Sequence, residues 1–316
     1  MNQHRHGVTI LGIYVADLAF RASRLPKMGE TVLGQSFTVG PGGKGSNQAV
    51  AAARAATGTP VTFITKLGCD AFAEIGLGTW KADGIRTDYV VQTDGQPTGA
   101  AFIFVSSETG DNAIIVSSGA AGTISARDVE AAAPAIEGSA VFVTQFEQPI
   151  DAAHRALEIA RGAGVTTILN PAPAVPVDGA LYSLCDYVTP NETEAAAITG
   201  VPVETLDQAR AAGDVLLKRG ARTALITLGE KGALYHRADE SIHVPAFTVD
   251  TVVETTGAGD AFNGGFAVAL AEGRSPIEAV RFACATAALS VGKAGTAPSM
   301  PKRAEIERFM EQRSNA

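Results

Sequence analysis

The sequence predicts an α/β fold, with a central, mainly parallel sheet flanked by helices and a small β-sheet lid carried on its edge. Three observations lead there. Short β-branched apolar runs alternate with longer Ala-rich segments along most of the chain, the mark of repeated strand–helix units whose strands lie parallel. Two stretches, near 13–40 and 100–117, break that rhythm with hairpin-like patterns. The chain has 316 residues, 46% of them apolar and 18% charged, enough for one large core with a small accessory unit.

Val8 to Val15 is an unbroken apolar run bounded by Asp17 and reads as a buried strand. Thr31 to Val39 reads as a second strand and ends in Gly40-Pro41-Gly42-Gly43-Lys44-Gly45, after which Ser46 to Ala56 is helical in composition. Alternation continues with a strand at 61–67 and a helix at 71–82. Strands at 100–106 and 113–117 flank the turn-like Glu108-Thr109-Gly110-Asp111-Asn112 and predict a hairpin. Beyond it come a helix from Ala126, strand 141–145, helix 150–161, strand 166–169, strand 186–189, helices 192–199 and 206–219, and strand 224–228. Two strand-like pieces at 233–236 and 241–244 precede Ala-rich helices at 258–271 and 276–291. The expected core domain is therefore discontinuous, 1–12, 45–97 and 121–316, and the lid is 13–44 with 98–120. Such a lid would cover a site at the carboxyl ends of the core strands.

Composition excludes several classes. Lys plus Arg number 25 against 33 Asp plus Glu, a net charge of −8, so neither nucleic acid nor a membrane surface is an expected partner. No apolar run reaches spanning length, and the opening MNQHRHGVTILGIYV reads as a strand rather than a signal peptide. Cys69, Cys185 and Cys284 lack metal or redox spacing and read as small buried hydrophobes with reduced thiols, which points to the cytoplasm.

The glycine run at 40–45 matches G-x-G-x-x-G, but the next strand ends in Lys66-Leu67-Gly68 with no acidic residue for a ribose contact, so a dinucleotide fingerprint is rejected. A P-loop fails too, because Gly45 follows Lys44 where Ser or Thr is required. The run reads instead as a close backbone approach to a small polar ligand. Glu254-Thr-Thr-Gly257-Ala258-Gly259-Asp260 opens a helix, where small residues leave backbone N–H groups free for a phosphate and place a carboxylate in the first turn. Alone, that carboxylate could equally serve only to complement the helix dipole. Thr189-Pro190-Asn191-Glu192-Thr193-Glu194 is by itself a capped helix start, and Thr227-Leu228-Gly229-Glu230-Lys231-Gly232 a β-turn.

Together these segments resemble the ribokinase, or PfkB, family of carbohydrate kinases over nearly the whole chain. GETVLG at 29–34, GGKGSNQAVAA at 42–52, NPAPA at 170–174, TPNETEA at 189–195, TLGEKG at 227–232 and TGAGDAFNGGF at 256–266 stand in the family's order, with wording nearest to its ribokinase branch.

The resemblance implies a ribokinase-like fold and transfer of the ATP γ-phosphoryl group to a sugar CH₂OH, with D-ribose giving ribose 5-phosphate as the first expectation. Another sugar or a nucleoside is the alternative acceptor, and a non-catalytic sugar sensor on the same fold is the rival class. Asp260 matches the catalytic base, and an unshifted carboxylate would already be ionised at pH 7. Thr256, Gly257, Ala258 and Gly259 match the anion hole. The sugar side maps onto Asp17, Gly42, Gly43, Lys44, Asn47, Glu147 and Asp260, and the ATP side onto Asn191, Thr227, Gly229, Gly232 and Cys284. Mg²⁺ is expected to arrive with ATP and to be influenced through water by Glu194. A monovalent cation, K⁺, is implied behind the anion hole at Glu254, Thr256, Ser290, Lys293, Gly295 and Ser299. A homodimer through the lid sheets is also implied. Three positions depart from the family: Val15 for a sugar-contacting Asn, Glu254 for an Asp, and Cys284 for a His or Asn.

Overall fold

The computed structural model describes residues 5–314; the parts of the expected core domain at 1–4 and 315–316 lie outside it. From the first strand, β1 (Val8–Leu11), the chain crosses into a second sheet as β2 (Val15–Ala22) and β3 (Ser36–Gly42). It returns through α1 (Lys44–Ala55), β4 (Val61–Gly68), α2 (Ala71–Ala82) and β5 (Arg86–Thr93), then revisits the second sheet as β6 (Thr98–Ser106) and β7 (Asn112–Gly119). There follow α3 (Ala126–Ala131), α4 (Ala133–Gly138), β8 (Val141–Thr144), α5 (Ile150–Ala163), β9 (Thr166–Leu169), β10 (Tyr187–Val188), α6 (Glu192–Thr199) and α7 (Leu206–Lys218). The last elements are β11 (Ala224–Thr227), β12 (Ala233–His236), β13 (Ser241–Val244), α8 (Ala258–Ala271), α9 (Pro276–Ser290) and α10 (Arg303–Ser314).

Nine strands form the large sheet in the order β13-β12-β11-β10-β9-β8-β1-β4-β5. All its pairings are parallel except β11–β12 and β12–β13. The chain winds outward from β1 through β4 to β5, and from β8 through β9 and β10 in the other direction. The order therefore reverses between β1 and β8, where the loops beyond the strand ends diverge and leave a crevice. The small sheet runs β3-β2-β6-β7, mixed because β2 and β6 are parallel. Helices cover both faces of the large sheet, with buried apolar residues in two clusters.

The structure divides the expected strand at 8–15. Gly12 and Gly45 pack backbone to backbone, so a Cβ on Gly45 would lie 2.6 Å from the Gly12 Cα. The start of α1 sits on the end of β1, and the chain turns away there to begin β2 in the other sheet. The strand expected at 31–39 begins only at Ser36, where pairing with Arg21 starts. Three elements escaped the strands and helices read from the sequence, β2 beyond Val15 being the first. β5 is a half-exposed edge strand with mixed polarity, and α10 is charge-rich, burying little beyond Ile306 and Phe309. Cys69 is exposed, correcting its reading as a buried hydrophobe: it follows β4 at the sheet's carboxyl edge, outside the packed layers, whereas Cys185 and Cys284 are buried.

Candidate active site

Two helix N-termini converge at the crevice. α1 begins after Gly43 and α8 after Gly257, both at φ 85°, a left-handed conformation open to glycine and costly for other residues. Neither terminus is capped by its own N-cap side chain; at α1 the Lys44 and Ser46 N–H groups are taken up by Glu147 and the Ile13 carbonyl. Small residues let these helices touch: a Cβ on Gly264 would come within 2.6 Å of both the Ala51 Cβ and the Gln48 carbonyl.

That contact carries the central polar group. Asp260, in the first turn of α8 and 6% exposed, accepts 3.0 Å hydrogen bonds from Asn47 Nδ2 on Oδ2 and from Gln48 Nε2 on Oδ1. Its carboxyl is raised, not unshifted as the sequence suggested. Burial penalises the charge and outweighs the opposing Lys44 ammonium and the two amides. Burial also pulls the Lys44 ammonium down, but the charges of Asp260, Glu147 and Glu194 leave it raised on balance.

The other sugar-side residues flank this pair. Glu147, just beyond β8, accepts a 2.8 Å bond from the Lys44 backbone N–H, and burial pushes its carboxyl up to about 7. Asp17 on β2 is pushed up to about 6 by burial, against a hydrogen bond from Thr296. A Cβ on Gly42 would lie 2.1 Å from Asp17 Oδ1, so only glycine leaves that carboxylate room. Asn47 Oδ1 is buried without a protein partner, an acceptor suited to a ligand hydroxyl.

On the other side of Asp260 lies a cavity of about 130 Å³. It brings together Lys44, Asn191, Glu194, Thr227, Gly257 and Gly259 from the expected site. Asn191 caps α6 in a reciprocal box with Glu194, and both residues line this cleft. The four residues expected to form an anion hole are not equivalent, because the Ala258 N–H already donates to the Thr255 carbonyl at 3.2 Å. Gly229, Gly232 and Cys284 do not line the cavity. Gly232 has φ 103° in a turn against Val244, and Cys284 sits in the core with its thiol pushed up to about 12 by burial.

Among the residues expected to hold a monovalent cation, Glu254 Oε2 accepts a 2.8 Å bond from the Gly295 N–H, which brings these two members of the set into contact. Its donors are carbonyls and hydroxyls with a single carboxylate, oxygen chemistry that fits a weakly held monovalent ion. Lys293 turns its ammonium outward to Glu305, 2.8 Å away. Among the described residues, no group of three or more His, Cys, Asp or Glu could hold a metal.

Sequence reading missed Gln48, Asn170, Thr189, Asn263 and Thr296. Asn170 donates to the Thr189 carbonyl, Thr189 Oγ1 donates to Asn263 Oδ1, and Asn263 Nδ2 donates to the Gly259 carbonyl, forming the floor of the cleft. Only position within the quoted motifs could have flagged the first four, and Thr296 lies in none of them; each is a neutral polar residue without diagnostic spacing. Thr296 Oγ1 approaches both Asp17 Oδ2 at 3.3 Å and the Pro41 carbonyl at 3.0 Å.

Comparison with known proteins agrees with this geometry. Residues 5–303 match the model of the pfkB family carbohydrate kinases. A ribokinase of Haemophilus influenzae is 40% identical over 97% of this chain and 99% of its own, and a deoxyribokinase of Salmonella typhi is 38% identical over 96% and 97%. The structure of Arabidopsis thaliana ribokinase complexed with ribose and ATP superposes with a TM-score of 0.88, at 33% identity, covering 97% of this chain and 99% of that one. Among the described residues no helix is long and apolar enough to cross a membrane.

Proposed function

The chain belongs to the pfkB family of carbohydrate kinases, and from that premise we propose that its cleft transfers the γ-phosphoryl group of ATP to the primary hydroxyl of D-ribose, giving ribose 5-phosphate. The observation that carries this reading is the Asn47–Asp260 contact. It joins the glycine loop on the sugar side to the phosphate-binding start of α8 in one hydrogen bond.

Asp17, Glu147 and Asn47 suit vicinal hydroxyls, since carboxylates and amides accept paired bonds. Asp260 takes the proton from the attacking hydroxyl, while the free N–H groups at the start of α8 and the Lys44 ammonium meet the charge spreading over the phosphoryl oxygens. Asp260 itself is held between two amide donors, so the base is oriented before the substrate arrives. Mg²⁺ bound to ATP would neutralise phosphate charge, with Glu194 and Asn191 touching it through water. K⁺ would add positive field behind the anion hole, held by Glu254 and by oxygens of Thr256, Ser290, Lys293, Gly295 and Ser299. Gly229, Gly232 and Cys284 remain the proposed adenine side, beyond the cavity described above.

A second acceptor, 2-deoxyribose, is favoured by one position. Val15 is 2% exposed and shares its face of β2 with Asp17, so the sugar side has an apolar side chain two residues from a sugar-binding carboxylate. The lid is proposed as residues 13–44 with 98–120. Its exposed face carries Phe20, Phe37, Val39, Phe102 and Ile115, and we assign that face to a homodimer contact. Three free cysteines suit the cytoplasm.

ADP release tests the reading, measured with ATP, Mg²⁺ and a panel of ribose, 2-deoxyribose, other pentoses, hexoses and adenosine, in K⁺ and in tetramethylammonium. Ribose turnover stimulated by K⁺ supports the full proposal. Preference for 2-deoxyribose selects the second acceptor, and no turnover on any of them overturns both.

A further inference from the structure

Asn47 and Gln48 hold the two oxygens of one carboxylate, yet they face different surroundings. Asn47 keeps a buried acceptor without a protein partner. Gln48 is fully buried, and its amide is engaged by protein on three sides. Its Nε2 donates to Asp260 Oδ1 at 3.0 Å and to Asn170 Oδ1 at 3.1 Å, and its Oε1 accepts from Gln145 Nε2 at 2.6 Å.

The orientation of this amide is fixed by its partners. A flipped Gln48 would turn its oxygen onto the oxygens of Asp260 and Asn170, and its nitrogen onto the nitrogen of Gln145. Asn170 is fixed in turn, because its Nδ2 donates to the Thr189 carbonyl at 2.9 Å. Gln145, Asn170 and Thr189 directly follow β8, β9 and β10, so the chain of bonds ends on the middle of the large sheet. Gly264 lets α1 lie against α8 at this point.

We propose that Gln48 is a positioning residue for Asp260: it transmits the fixed geometry of the β8, β9 and β10 ends to the carboxylate, aims it at the acceptor hydroxyl and favours its charged form. The inference rests on the kinase reading above. Gln48 is buried behind Asp260 and does not itself line the cleft; it reaches the cleft through Asp260 and through Asn170. Hydrogen bonds donated to a carboxylate hold its proton affinity down, and Asp260 needs this because burial raises it. The charged groups facing it are Lys44 from α1, Asp17 from β2, Glu147 beyond β8 and Glu194 from α6.

The test is Gln48→Met, which keeps the volume and removes the amide. At saturating ribose and ATP, the acid limb of kcat is expected to move up by about one pH unit, a tenfold loss at its foot. At pH 9 kcat should return to within threefold of the native enzyme, with both KM values within twofold. An unmoved acid limb, a loss uniform across pH, or a change confined to KM would each overturn the proposal. Should that variant not fold, Gln145→Met removes the donor to Gln48 Oε1 and, with it, a buried oxygen that has no partner. A smaller shift in the same direction is then expected, and none overturns the proposal. ¹³C NMR titration of the Asp260 carboxyl, assigned through Asp260→Asn, reads the shift without turnover. A native protein inactive on every sugar would thus refute the kinase reading, while the NMR shift alone still decides on Gln48.

Discussion

Thr296 Oγ1 stands 3.3 Å from Asp17 Oδ2, although the two residues lie 279 positions apart. The loop after α9, which also carries Gly295 and its bond to Glu254, thereby touches directly a carboxylate proposed to bind the sugar. Burial raises the Asp17 carboxyl to about 6, and this hydroxyl is the main opposing influence. Thr296→Val preserves shape and removes the donor, so the Asp17 carboxyl should rise further. The acid limb of kcat/KM for the sugar should then shift to higher pH, with KM for ATP unchanged, as initial rates between pH 5 and 9 would show. An unshifted limb would detach Thr296 from the sugar site.

Asp260→Asn removes the proposed base while conserving volume. General-base contributions run to about 10²–10⁴-fold, and a loss of kcat in that range is expected. Sugar affinity, followed by calorimetry, should change far less, because Asp17, Glu147 and Asn47 remain. A variant that turns over at the native rate would remove Asp260 from the reaction.

Glu147 carries a stability signature with a definite sign. Its carboxyl is pushed from the ordinary 4.5 to about 7 in the folded chain, chiefly by burial. Between those values the folded state binds more proton than the unfolded one, so this group's contribution to stability declines as pH rises through that window. Glu147→Gln has no such charge to bury. Its Tm, measured without ligand, should match the native protein near pH 4.5 and exceed it by about 2 °C or more at pH 8. A difference that is constant with pH would show that the carboxyl does not titrate there.

Much of this arrangement was legible in the chain. The helix at 71–82 and the hairpin strands 233–236 and 241–244 fall where alternation and turn residues placed them. Glycine-rich helix starts and capping patterns have local causes, so the helix starts at Lys44, Asn191 and Asp260 were readable, while the roles expected of these residues came only from the order of several motifs taken together. What stayed hidden is relational. Nothing local to Gly12 or Gly45 announces that their backbones touch, so the run 8–15 reads as one strand. Gln48 looks like any polar residue in an Ala-rich helix until α8 is laid beside it. Cys69 illustrates the converse: composition treats cysteine as a buried hydrophobe, but exposure is decided by where β4 ends.

The small sheet exposes more apolar surface than its size requires. Phe20 packs 4.6 Å from Phe37 and 5.7 Å from Phe102, ring centre to ring centre, yet these three are 37%, 53% and 36% exposed, and Ile115 is 70% exposed. Alternation along β2 puts this face opposite Asp17, so covering it would leave the sugar side free. Light scattering should give twice the 32.4 kDa chain mass, and Ile115→Glu should give the monomer. A native monomer at micromolar concentration would remove the homodimer from the proposal.

Under the proposed function, Val15 is the position expected to distinguish the two sugars. It opens β2, pairs in register with Gly42 and Gly99, and lies so close to Gly99 that a Cβ there would come 2.8 Å from Val15 Cγ1. An apolar side chain in this position offers nothing to a hydroxyl, and a buried hydroxyl left unpaired costs about 1–3 kcal/mol. A sugar lacking that hydroxyl escapes the penalty. Val15→Asn restores an amide two residues from Asp17, on the same face. The ratio of kcat/KM for ribose to that for 2-deoxyribose should therefore rise about 5- to 100-fold in the variant, mostly through the KM of ribose. A ratio unchanged within twofold would mean that position 15 does not meet the sugar hydroxyl and that the acceptor is chosen by Asp17, Asn47 and Glu147 alone.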